Sequence, residues 1–254
     1  MPIVLLLVLS LSLPFGGPGT LLKLGAFQLD APAFLALAAL AWSLPASLFR
    51  GNKPDTAGWA AIGWAGAWLV SSLAAPAAWV PASQSAWHLA VGPLLFTCAR
   101  PLLTPRQAKV LLAGLGTAAV AGIFLHPPLI FGPASASPAP AIPWAAFTAN
   151  PLTGSGPGIY PDLPLWAGLL PRGGLLAAGA ALFLLGAVGS RIHLPASSLT
   201  WKDAILPALP LAALSISGFF LDPLSGTRLG LGFWLFLSAL VPPGRPAYNG
   251  KRRA

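Results

Sequence analysis

The chain has 254 residues, 56% of them hydrophobic, with 14 Lys/Arg and 5 Asp/Glu. Charged residues amount to 7%, against about 25% in a soluble domain, so a water-soluble globule is excluded. The formal charge of +9 is not gathered into the dense basic stripe of a nucleic-acid surface. Basic residues sit instead in short clusters between apolar runs, which points to membrane topology and excludes nucleic acid as a partner.

Charge-free stretches cover 1–22, 31–49, 56–99, 110–161, 173–190, 204–221 and 229–244, most of them near or above the ~20 residues that cross a bilayer. The pattern predicts helices over about 3–15, 31–49, 57–75, 86–99, 108–125, 173–190, 204–221 and 229–242. The first run lacks a basic leader and a small-x-small cleavage site and reads as a retained span. Pro32 and Pro45 fall near the ends of the second helix, where membrane helices accept them. Trp59, Trp64 and Trp68 are expected to cover roughly one face of the third helix, as lipid-facing or core residues. Gly114, Ala118 and Gly122 recur every four residues, and Gly174 pairs with Ala178 in the same way. Both sets read as close-packing stripes.

The fold class expected is all-α: a polytopic transmembrane bundle of about eight spans, forming one integral membrane domain over 1–254. A short apolar run, Ile159–Leu170, adds a ninth span if it crosses. With eight spans and the N-terminus inside, Arg50, Lys53, Arg100, Arg106, Lys109, Arg191, Lys202, Arg245, Lys251, Arg252 and Arg253 lie inside. Only Lys23, Arg172 and Arg228 lie outside. Nine spans divide the same residues evenly, so the charge bias favours eight, with both termini on the cytoplasmic side of the cytoplasmic (inner) membrane. The proline-rich segment 126–162 is then external. It cannot form a long regular helix, and a site is expected there.

Candidate chemistry is sparse. Cys98 is the only cysteine, which excludes an internal disulfide and a four-cysteine metal site. There is no Glu, and the acids are Asp30, Asp55, Asp162, Asp203 and Asp222. His88, His126 and His193 have no second ligand at metal spacing, so no metal and no cofactor are expected. His126 opens the external segment and is the candidate base. Arg191 ends a span and suits either snorkelling to headgroups or bidentate contact with a phosphate.

The landmarks, in order, resemble the O-antigen ligase and O-antigen polymerase superfamily. They are Pro14-Phe15-Gly16-Gly17, Leu24–Asp30 leading to Trp42, Ala146-Phe147-Thr148-Ala149-Asn150-Pro151 with Tyr160 and Leu163-Pro164-Leu165, Gly189-Ser190-Arg191, Gly218–Pro223, and Gly232-Phe233-Trp234-Leu235. The resemblance implies a polytopic transferase acting on lipid-diphosphate-linked glycans outside the membrane. Arg191 and His126 would be catalytic, with Asn150 and Tyr160 binding substrate. Departures are substantial. Trp144-Ala145-Ala146 stand where the family has an arginine, Leu152 follows Asn150-Pro151 in place of an asparagine, and Ile192 replaces a glycine. Only 26 residues separate Arg191 from Gly218, too few for the family's large external loop. The member implied is reduced or degenerate, and whether it turns over is open. The alternatives are a non-catalytic accessory or scaffold subunit, bound to other membrane subunits and lipids, and a small transporter. The transporter is weakened because the expected spans carry no interior charge. The resemblance places Arg191 outside, whereas the charge bias places it inside.

Overall fold

The computed structural model describes residues 2–15, 22–24, 27–74, 79–125, 144–157, 163, 165–190 and 227–241. They are almost entirely helical: α1 (Pro2–Ser12), α2 (Ala31–Phe49), α3 (Thr56–Leu73), α4 (Trp79–Ala99), α5 (Pro105–Leu125), α6 (Trp144–Ala149), α7 (Leu165–Gly189) and α8 (Thr227–Leu240). Short 3₁₀ turns follow α1 and α4. Leu22–Leu24 and Phe27–Leu29 add a small antiparallel hairpin, Leu22 opposite Leu29, which the all-α expectation did not include.

Helix starts follow from the scarce acids. The Asp30 carboxylate accepts the Ala33 N–H at 2.9 Å and opens α2. Asp55 accepts the Gly58 N–H at 3.0 Å and opens α3. Each satisfies an N–H that the first turn leaves without a partner. Thr104 and Gln107 bond reciprocally at the start of α5, a capping box without an acid.

Helix α4 is central, packing against α2, α3 and α8, while α3 also carries α7 and α1 joins α2 to α5. One apolar cluster includes Trp64, Trp68, Phe96, Leu165, Leu184 and Trp234. The other includes Leu6, Leu9, Val91, Leu111 and Leu235. On α2 the distribution of side-chain size is the inverse of a soluble bundle. On α2 the buried positions are Pro32, Ala33, Ala36, Ala39, Ser43 and Ser47, whereas Phe34, Trp42, Leu44, Leu48 and Phe49 are exposed. On α7 Ala177 and Ala181 are buried together with Leu165, Leu169, Leu184 and Val188, while Leu175, Leu182 and Phe183 face outward. Small residues let backbones approach closely, the packing chemistry of helices in lipid. Both α2 and α7 are long and apolar enough to cross a membrane.

Several expectations are corrected. Trp64 and Trp68 are buried but Trp59 is exposed; five residues turn a helix by about 500°, which sets Trp59 well away from the other two. Helix α4 begins at Trp79 rather than near residue 86. Gly174 belongs to a break in α7, not to a packing stripe with Ala178. Of the Gly114 stripe, Gly114 does pack: a Cβ there would come within 2.7 Å of Leu7 Cδ1 and 2.9 Å of Ser10 Oγ, so α1 lies directly against α5, and Ala118 is buried.

Two arginines counted as topology markers are buried instead. Arg100 pairs with Asp55, is 4% exposed in its side chain, and lies over the Phe96 ring at 4.6 Å. Arg172 lies inside α7 and is 3% exposed, not in an external loop. Asp55–Arg100 and Ser71–Arg172 mark opposite ends of α3.

Candidate functional site at the break in α7

Helix α7 joins Leu165–Leu170 to the expected span 173–190 through a break. Two sequence features cause it. Pro171 has no N–H and crowds the preceding turn. Gly174 takes φ 62° and ψ −162°, a conformation essentially reserved for glycine.

A continuous helix would bond Leu175 N–H to the Pro171 carbonyl and Leu176 N–H to that of Arg172. Both bonds are replaced by the segment that follows α6. Leu175 N–H donates to Pro151 O at 2.9 Å, and Leu176 N–H to Leu152 O at 3.1 Å. In return Ser155 N–H donates to Pro171 O at 2.8 Å, and Gly156 N–H to Arg172 O at 2.9 Å. Residues 151–156 are thus spliced into the helix ladder, with four bonds standing where two were lost. Buried main-chain groups require this kind of replacement, above all where lipid excludes water.

Side chains complete the joint. Ser71, fully buried on α3, donates from its hydroxyl toward Thr153 O at 2.6 Å and Arg172 O at 2.8 Å. The Ser155 hydroxyl donates to Pro171 O at 2.9 Å. The Arg172 guanidinium turns back along its own helix, with Nε donating to Gly168 O at 3.4 Å and an Nη to Leu163 O at 3.3 Å. Gly154, at φ 64°, leaves no room for a Cβ against the main chain of Arg172, and Gly174 leaves none against Leu152.

Of the expected site residues, Asn150 is described: it is exposed, and its carbonyl accepts the Gly154 N–H at 2.8 Å. It adjoins the splice without forming part of the exchange. Arg191, His126 and Tyr160 lie outside the described residues, as does His193; His88 lies on α4. The described residues of the joint supply hydroxyls, an amide, a guanidinium and carbonyls, but no imidazole, thiol or carboxylate. No group of three potential metal ligands occurs among the described residues. Arg172, Ser71 and Gly154 were missed from sequence. The available signal was Pro171-Arg172-Gly173-Gly174 interrupting an otherwise apolar run.

Comparisons with protein-family models, with curated proteins and with solved structures find no match.

Proposed function

We propose that the chain is an integral protein of the cytoplasmic membrane, with eight spans and both termini inside. In this reading it is a reduced relative of the O-antigen ligases and polymerases that engages a lipid-diphosphate-linked glycan without transferring it. Support for the membrane setting comes from the inverted size pattern on α2 and from the length and apolarity of α2 and α7. Support for eight spans comes from the distribution of basic residues between the apolar runs. Setting aside the buried Arg100 and Arg172 takes one basic residue from each side of the count, 11 − 1 = 10 inside and 3 − 1 = 2 outside, and leaves its bias intact.

The observation that carries the non-catalytic reading is the splice at α7. The described part of the external segment, which in a transferase would present reacting groups, spends its main chain and hydroxyls on closing a helix break. A base and a nucleophile or leaving-group stabiliser must converge on one point for transfer. Among the described residues, the joint supplies neither a base nor a free hydroxyl.

The test is glycan transfer by the purified chain, supplied with a polyprenyl-diphosphate-linked donor and an acceptor glycan, beside measured donor binding. The reading expects binding with no product above background, and no change in product for Arg191→Ala. Product formation that Arg191→Ala or His126→Ala abolishes would establish the transferase, with Arg191, His126, Asn150 and Tyr160 in its site. One observation favours keeping a small transporter as the second reading: Arg172 is a charge inside an apolar helix, the feature that marks transport pathways. Donor flux in sealed vesicles distinguishes it.

A further inference from the structure

We infer that the Asp55–Arg100 end of the bundle is a docking face for anionic phospholipid headgroups, a partner of defined chemistry beyond the lipid that surrounds any span. The inference rests on the bundle being embedded in a membrane.

Four exposed cations share this end. Arg50 caps the C-terminus of α2 and Lys53 follows it in the loop to α3; Arg106 and Lys109 occupy the first turns of α5. They belong to one end because α2 touches the turn Arg100–Leu102, and that turn leads directly into α5. The only acid described there is Asp55, and it is already committed to Arg100 and to the Gly58 N–H. The exposed charge is therefore uncompensated by any described carboxylate. The opposite end of α2 carries Asp30, with Lys23 in the hairpin just before it, so charges of both signs occur there.

Apolar groups stand beside the cations. Phe49 is 91% exposed and Leu48 69%, immediately before Arg50. A face that offers aliphatic and aromatic surface next to guanidinium and ammonium groups fits a headgroup phosphate with its acyl chain. A soluble phosphate uses only half of it. Near an anionic leaflet each such cation changes partitioning by about fivefold, and the attraction is screened by salt.

The experiment uses the full chain reconstituted in phosphatidylcholine vesicles carrying trace spin-labelled phosphatidylglycerol or spin-labelled phosphatidylcholine, with the protein-associated fraction of each read by electron spin resonance. The expected result is a severalfold preference for phosphatidylglycerol. It falls toward parity on raising salt from about 0.1 M to about 1 M, where screening shortens from about 10 Å to about 3 Å. It also falls in R50Q/K53Q/R106Q/K109Q, while the charge-conserving R50K/K53R/R106K/K109R retains it. Should the quadruple variant fail to fold, R50Q/K53Q and R106Q/K109Q each lose part of the preference. Equal association of the two lipids with the wild type, or full preference in the neutralised variants, overturns the inference. Loss of the preference to inorganic phosphate at constant ionic strength also overturns it, by showing a soluble-anion site. Carbonate extraction of native membranes is run separately. Release of the protein there sinks the membrane reading itself, whereas retention without lipid preference sinks this inference alone.

Discussion

The Ser71 hydroxyl donates to the main-chain carbonyl of Arg172 at 2.8 Å across 101 residues of sequence, and the same oxygen lies 2.6 Å from the carbonyl of Thr153. One side chain of α3 thus holds both α7 and the segment spliced into it. Ser71→Ala leaves buried acceptors with fewer donors, although Gly156 N–H still serves Arg172 O. A loss of about 1 kcal/mol is expected, read as a lower unfolding temperature in detergent. Ser72→Ala is the control, because that hydroxyl bonds only within its own helix, to Leu69 O. Equal effects from the two would contradict the assignment of Ser71 as a joint.

The glycines separate in the same way. Gly174→Ala must adopt a conformation that side chains avoid and must also displace the main chain of Leu152, so it is expected to cost about 3 kcal/mol or more. Gly63 lies in α3 with open space at its Cβ position, and Gly63→Ala is expected to stabilise by about 0.5–1 kcal/mol. Thermal unfolding of the pair checks both signs at once.

Asp30 and Asp55 cap α2 and α3 alike, but only Asp55 also faces a buried arginine. Asparagine caps as well as aspartate, so Asp30→Asn is expected to be nearly neutral. Asp55→Asn leaves the Arg100 charge without its counter-ion in a site 4% exposed, expected to cost about 3–5 kcal/mol. Comparable losses in the two variants would contradict the buried pair.

Close approach of α1 and α5 depends on Gly114, whereas Gly116 on the same helix faces open space. Gly114→Leu is expected to push Leu7 and Ser10 aside at a cost of about 1–3 kcal/mol, and Gly116→Leu to be tolerated. Proteolysis rates in detergent report the difference.

Much of the helical layout is legible in the residues. The charge-free run 31–49 coincides with α2, whose start is fixed by Asp30 and Pro32 and whose end is followed by Gly51 at φ 63°. The run 57–75 gives α3 to within two residues. Pro171 and Gly173-Gly174 mark an interruption, but the joint in α7 was not legible, because Gly174 with Ala178 has the spacing of a packing stripe and nothing local shows that residues 151–156 replace the lost ladder bonds. That partner is about twenty residues upstream and is joined through main-chain groups, which carry no side-chain pattern. Arg100 and Arg172 were misread for a related reason: a charge at the end of an apolar run has one sequence signature whether it meets headgroups or a buried partner. Asn150 was identified from its motif, yet what the structure assigns to its neighbourhood is a backbone joint.

The proposed topology puts the splice toward the outer face of the membrane and Arg191 on the cytoplasmic side, so that no external arginine completes a transfer site there. Cysteine accessibility in right-side-out spheroplasts tests it, in a Cys98→Ala background that removes the single native thiol. Leu152, in the splice through its carbonyl but 63% exposed, is expected to label as Leu152→Cys in intact spheroplasts. Lys53→Cys and Arg191→Cys are expected to label only after permeabilisation. Labelling of positions 152 and 191 alike in intact spheroplasts would contradict the account and restore Arg191 to an external glycan-diphosphate site.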